Sequence, residues 1–214
     1  MRKGLFIVLE GVEGAGKSTQ ARMLSEWFRE LRLDHTLARE PGGTPVGEAI
    51  RSVVLDRDGL TMPRETELFL ILGARAAFVR GVVRPALEAG RILLSDRFDF
   101  STLAYQGFGR GLDLGEVRRA NAMATGGLKP HLCLVLDVPV ELGMLRKAGE
   151  RGVDRIEGEG SEFLSRVRDG YLRLVEEETG AHLIDAAGTA EAVQASIRGV
   201  LGSAFPETFP GSEV

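Results

Sequence analysis

The stretch Leu5-Phe-Ile-Val-Leu-Glu-Gly-Val-Glu-Gly-Ala-Gly-Lys-Ser-Thr19 couples a short β-type apolar run to a glycine-rich loop. Its second half fits the phosphate-loop pattern G-x-x-x-x-G-K-[ST], with Gly11, Gly16, Lys17 and Ser18 in the fixed places. Such a loop turns its backbone N–H groups inward onto phosphate oxygens, a path that side chains would obstruct and that Gly11, Gly14 and Gly16 permit. In that reading Lys17 places a point charge between the outer phosphates. Ser18 offers its hydroxyl to Mg²⁺, and the following helix turns its positive end toward the anion. Glu13, Ala15 and Thr19 complete the loop's candidate contacts with a nucleoside triphosphate. A chain with 28 glycines can produce the pattern by chance. The order of strand, loop and helix argues otherwise, because Met23, Leu24, Trp27, Phe28 and Leu31 recur at helical spacing between Gln20 and Arg32.

Outward from this unit, short apolar runs alternate with longer amphipathic stretches, the pattern of repeated β-α-β units. Strands are expected at Leu5 to Leu9, His35 to Ala38, Arg91 to Ser95, Leu132 to Asp137 and Ala181 to Asp185. Helices are expected at about Lys17 to Arg32, Val46 to Leu55, Arg64 to Ala89, Phe100 to Phe108, Leu114 to Thr125, Val140 to Lys147, Glu162 to Thr179 and Ala190 to Ser203. The fold class that follows is α/β: a P-loop NTPase-type three-layer fold, with a five-stranded parallel sheet and helices on both faces. At 214 residues and 43% hydrophobic, the chain suits a single domain over residues 1–204. Residues 205–214 carry Pro206, Pro210 and Gly211 and read as a surface tail.

Composition narrows the function. With 27 basic and 31 acidic residues the net charge is −4, so no overall cationic field points to nucleic acid. No apolar run has the length of a bilayer span, and the N-terminus opens into a strand rather than a signal peptide, so the cytoplasm is the expected compartment and no membrane partner is expected. The lone Cys133, inside the apolar run Leu132 to Leu136, reads as a small buried residue rather than a nucleophile. His35, His131 and His182 stand at the heads of expected strands and read as structural or surface residues.

Ligands in parallel α/β sheets bind outside the carboxyl ends of the strands. Those ends are polar here: Glu10, then Arg39-Glu-Pro-Gly-Gly-Thr44, then Asp96-Arg97, then Asp137. Arginines and carboxylates converging on a triphosphate loop point to a second anionic substrate, and so to group transfer rather than simple hydrolysis. Adding Ser95-Asp-Arg-Phe-Asp-Phe-Ser101 and Tyr105-Gln-Gly-Phe-Gly-Arg-Gly111, the chain resembles the thymidylate kinases over roughly residues 4–179. The resemblance implies transfer of the γ-phosphoryl of ATP to dTMP, giving dTDP and ADP, with Mg²⁺, by a homodimer. It implies that Arg39 and Arg97 bind the acceptor phosphate, whose paired oxygens suit a guanidinium fork. Asp96 is then the metal residue, and Glu10 assists with the metal or the deoxyribose. Phe69 matches a base-stacking aromatic and Arg75 a residue reading a thymine edge; Ser101 and Gln106 match further nucleoside contacts. Tyr105 matches a ring crowding the sugar's 2′ position. Without the family, Phe69 reads as a core residue and Arg75 as a solvated charge.

The segment Leu145-Arg-Lys-Ala-Gly-Glu-Arg-Gly-Val-Asp-Arg-Ile-Glu157 reads alone as an exposed loop and, by resemblance, as a lid at about residues 145–160. The phosphate loop carries Glu13 and Gly14 but no arginine. The resemblance then assigns the transition-state arginine to the lid, with Arg151 as the candidate, Arg155 as a second arginine near the nucleotide and Arg146 as an alternative. A nucleotide-driven switch is the competing class. Its guanine-reading version needs N-K-x-D, and the single asparagine, Asn121, lies in Ala120-Asn-Ala-Met123. Within kinases, another monophosphate or a nucleoside with a free 5′-hydroxyl competes as acceptor, and Arg39 with Arg97 favours one already phosphorylated.

Overall fold

All six residues of strand β1, Leu5–Glu10, are buried. Leu5, Ile7 and Leu9 enter one core, while Phe6 and Val8 enter a second on the other face. A strand buried on both sides is what a parallel sheet covered by two helical layers requires. The computed structural model describes residues 4–56, 61–148 and 155–210. Within it β2 (His35–Arg39), β3 (Ile92–Asp96), β4 (Leu132–Asp137) and β5 (Ala181–Asp185) join β1 in the order β2-β3-β1-β4-β5, all parallel. Each expected strand is present to within one residue. Asp96 is level with Leu9 on one side and Arg39 on the other, so the polar strand ends meet along one edge.

The helices are α1 (Lys17–Glu30), α2 (Pro45–Leu55), α3 (Arg64–Phe78), α4 (Arg84–Glu88), α5 (Asp99–Thr102), α6 (Leu114–Thr125), α7 (Val140–Lys147), α8 (Ser161–Glu177) and α9 (Ala190–Ala204). Thr44 caps α2, its hydroxyl accepting from Gly47 N at 3.0 Å, and Asp113 caps α6 by accepting from Glu116 N at 2.9 Å. Two expected helices are not continuous α. The first is divided by a π-helical stretch, Val79–Val83, because Pro85 near the start of α4 has no N–H for the carbonyl four residues back. The second is one α turn followed by the π-helical stretch Leu103–Gly109, which carries Tyr105 and Gln106. Hydrophobic spacing over so few residues does not distinguish an α from a π register.

The segment expected as a surface tail is not all surface. Phe209 is 1% exposed and stacks on Trp27 and Phe28, each at 5.3 Å between ring centroids. A single turn, with Phe209 N donating to Phe205 O, swings it back onto α1. Two histidines have structural partners: His35 Nε2 lies 2.8 Å from Ser25 Oγ, and His131 Nδ1 accepts from Phe6 N at 2.9 Å. Cys133 is buried and its thiol pKa is raised by burial, as befits a core residue.

Candidate active site

The loop between β1 and α1 closes tightly. At Gly14, φ is +72° and a Cβ would lie 2.1 Å from the Gly143 carbonyl oxygen of α7, so only glycine fits. Lys17 is buried, and its Nζ donates to the carbonyls of Gly11 at 3.0 Å and Val12 at 2.8 Å, bracing the loop from inside. Burial, with Arg97 nearby, lowers the Lys17 pKa against the pull of Glu13 and Asp96. Ser18 Oγ donates to Asp96 Oδ2 at 2.9 Å, bringing two hard oxygen ligands together beside the loop. A cavity of about 620 Å³ opens here. Its walls are residues 13–20, Asp96, Arg97 and Arg51, and its far end is formed by Arg146, Ala186, Gly188, Ala190 and Val193.

A second cavity, of about 80 Å³, lies beside the first. Ile71 and Arg75 of α3, Val54 and Leu55 of α2, Ser101, Tyr105, Gln106 and Ile156 line it. Glu13, Arg51 and Arg97 line both cavities. Arg97 reaches that position through a left-handed backbone, φ +74°, fixed by its N–H donating to Leu9 O at 2.8 Å and its carbonyl accepting from Ser95 Oγ at 2.9 Å. For a residue with a long side chain this conformation is costly and sits where the chemistry converges. Its guanidinium pairs with Glu13, donates to Ser101 Oγ at 3.1 Å and to Tyr105 and Tyr171 hydroxyls at 3.2 Å, and lies over the Tyr105 ring. Burial pushes the Glu13 carboxyl up, but Arg97, Lys17 and Lys147 outweigh it and bring the pKa down to about 2.

Several expected site residues stand elsewhere. Glu10 is 0% exposed and lines neither cavity. Its carboxylate accepts from Phe98 N, Ser101 N, Ser101 Oγ and Tyr171 Oη at 2.6–3.1 Å, so its oxygens are spent within the protein. Burial raises its pKa despite those bonds. Phe69 is 66% exposed and outside the acceptor-side cavity. Ile71 and Arg75 are the α3 residues that line that cavity, Glu67 lies one turn before them on the same buried stripe, and Phe69 falls roughly 200° around from that stripe. Arg75 lies on the right face, yet all its donors are used: Glu40 takes bonds at 2.8–3.0 Å, Thr102 and Asn121 take the next amine, and Phe98 O takes one at 2.8 Å. In this arrangement it lines the smaller cavity while its donors are held by protein groups. Burial in this network pushes the Glu40 carboxyl up to about 7 against the pull of Arg75.

Arg39 is exposed, pairs with Glu48 at 3.2 Å and lines neither cavity. Arg155 lines neither cavity, donating to Val54 O at 2.9 Å and pairing with Glu67. Arg151 lies outside the described residues. Two residues missed in the sequence are prominent. Arg51 shares the inward stripe of α2 with Gly47 and Val54, and a charge at that spacing was a signal. Tyr171, with its hydroxyl 2.9 Å from both Glu10 and Ser101, hides among the apolar residues of α8's buried face.

A phosphate loop opening into one cavity, with a second anion-ready cavity across a shared arginine wall, defines a P-loop phosphotransferase of the nucleotide kinase class. The thymidylate kinase family model matches residues 9–197. Thymidylate kinase of Desulforudis audaxviator is 48% identical over 204 residues, 92% of each chain, and that of Ectopseudomonas mendocina is 46% identical over 201 residues, covering 94% of this chain and 96% of the other. The crystal structure of thymidylate kinase from Ehrlichia chaffeensis superposes with a TM-score of 0.77 at 27% identity, covering 93% of this chain and 99% of that one. The chain belongs to the thymidylate kinase family, whose enzymes use ATP to phosphorylate dTMP to dTDP. That is its activity.

Proposed function

We propose that the larger cavity holds ATP and the smaller one dTMP, so that the γ-phosphoryl crosses between Arg51, Arg97 and Lys17. The observation carrying this reading is that Glu13, Arg51 and Arg97 are the shared wall of the two cavities. Phosphoryl transfer needs in-line positioning and positive charge around the moving oxygens. Residues 14–19 cradle the donor phosphates. Lys17, once phosphates replace the carbonyls it now braces, neutralises them. Arg97 and Arg51 hold the acceptor phosphate, and Arg39, which lines neither cavity, stands outside this pair. Ser101, Tyr105 and Gln106 line the nucleoside end, and Ile71 gives the base an aliphatic wall in place of the expected ring. Arg151 carries the transition-state role on the strength of the resemblance and the arginine-free loop.

Ser18 and Asp96, already joined at 2.9 Å at the edge of the phosphate loop, are the residues that would hold Mg²⁺. When bound, that ion would neutralise phosphate charge. We also propose a homodimer formed through α2 and α3. Val46 is 59% exposed, Val53 39% and Phe69 66%, apolar side chains on two helices in contact that a second copy would cover. The chain acts as one domain that takes in Phe209, beyond the expected bound at residue 204, and the cytoplasm is the expected compartment; among the described residues no helix is long and apolar enough to cross a membrane.

Filling the smaller cavity tests the assignment. Ile71→Trp should raise KM for dTMP at least about tenfold and leave KM for ATP unchanged. The opposite pattern would exchange the two cavities. Phe69→Glu should convert a dimer to a monomer in sedimentation velocity, and a wild-type protein that sediments as a monomer would remove the dimer proposal.

A further inference from the structure

Among the described residues Gln106 is the side-chain amide that lines the smaller cavity, and what holds it is a buried carboxylate. Glu67 is 1% exposed and lies one turn before Ile71 on the inward stripe of α3. Gln106 Nε2 donates to Glu67 Oε1 at 2.9 Å. Arg110 holds the same carboxylate in a fork, Nε to Oε1 and the terminal amine to Oε2, both at 3.1 Å, and Arg155 pairs with Oε2. Burial alone would raise the Glu67 pKa; bonds from Arg110, Gln106 and Arg155 overturn that and lower it, so the group is an anion at neutral pH.

An ionised carboxylate only accepts hydrogen bonds. The end of Gln106 that faces Glu67 must therefore be its NH₂, and the carbonyl oxygen is turned the other way. We propose that Glu67 is a specificity-positioning residue: by fixing the amide of Gln106, it makes the cavity present an oxygen acceptor to the acceptor base. Such an oxygen matches the ring N3–H of thymine or uracil. It repels cytosine, whose N3 is itself an acceptor. The same carboxylate anchors Arg155, whose neighbour Ile156 lines the cavity and whose Nε also holds the carbonyl of Val54, another lining residue, so Gln106 and this part of the cavity wall share one support.

The inference rests on the smaller cavity being the dTMP site. Its test is Glu67→Gln, whose side chain can accept or donate and so releases the amide of Gln106 to flip. Steady-state rates with dTMP and dCMP should show the ratio of kcat/KM for the two falling at least about tenfold, mainly through KM. An unchanged ratio in E67Q, alongside a raised KM for dTMP in I71W, overturns the proposal and leaves the cavity assignment standing. An unchanged KM in I71W overturns both. Should E67Q not fold, the wild-type protein answers directly through the side-chain amide of Gln106, identified in its NMR spectrum by loss in Q106M. Protection of an amide proton from exchange is the expected result, and exchange at the rate of a solvent-exposed glutamine overturns it.

Discussion

Replacing Arg97 by methionine separates what the arginine does for the fold from what it does for the reaction. Arg97 and Glu13 form a pair with side-chain exposures of 14% and 24%, and the fall of the Glu13 pKa from 4.5 to about 2 corresponds to about 3 kcal/mol in favour of the ionised form. Lys17 and Lys147 supply part of that. Removing one partner of a buried pair strands the other charge, at a cost of roughly 3–5 kcal/mol when burial is complete. Partial exposure here reduces it to about 2–3 kcal/mol. For a domain of this size each kcal/mol moves the melting temperature by roughly 2–4 °C, so R97M should melt about 4–12 °C lower in calorimetry at pH 7. Glu13→Gln in the same chain removes the stranded charge, and the double variant should recover at least about 1 kcal/mol. It should recover no turnover, because the acceptor phosphate has still lost its guanidinium. The pH dependence has a definite sign. Glu13 has a depressed pKa in the fold, so its contribution is fully present above pH 4.5 and is lost as pH falls toward 2; the gap between wild type and R97M should close over that window. Equal melting temperatures for wild type and R97M, or a double variant less stable than R97M, would refute the reasoning.

Lys17→Ala should lower kcat by roughly a hundredfold, about 3 kcal/mol, because donor phosphate charge goes unneutralised; full turnover in the coupled ADP-release assay would remove the loop from the mechanism. Phe209→Ala should cost about 3–5 kcal/mol and leave kcat unaltered, since the ring fills a pocket between Trp27 and Phe28 remote from both cavities, and an unaltered urea midpoint would show that the segment is only draped on the surface. Arg151→Ala should reduce kcat more than it changes KM for either substrate, and a near-normal kcat would pass the transition-state role to another arginine.

The sheet was legible because a doubly buried parallel strand needs a nearly uninterrupted apolar run, which the central strands β1, β3 and β4 have; the half-exposed edge strands β2 and β5 were legible from their place between helical stretches. The phosphate loop was legible because its glycines, lysine and serine do their work at fixed spacing in one stretch of chain. Phe69 and Ile71 show where that legibility stops. They differ by two places on one helix, which is the difference between solvent and cavity, and only the angle to Arg75 distinguishes them. Arg75 itself is recognisable as an inward charge, but whether its donors face a ligand or the protein depends on Glu40, Asn121 and the Phe98–Thr102 turn, which come from three separate segments. Glu10 presents the same problem from the acceptor side, since the groups that use up its oxygens lie 88 to 161 residues away in the chain. Local motifs therefore name the groups that touch phosphate, where geometry is set by neighbours in sequence. Base recognition is set by long-range partners, which is why the carboxylate of Glu67, with no motif of its own, emerges as the group governing Gln106 only once α3 and the π-helical stretch are seen packed side by side.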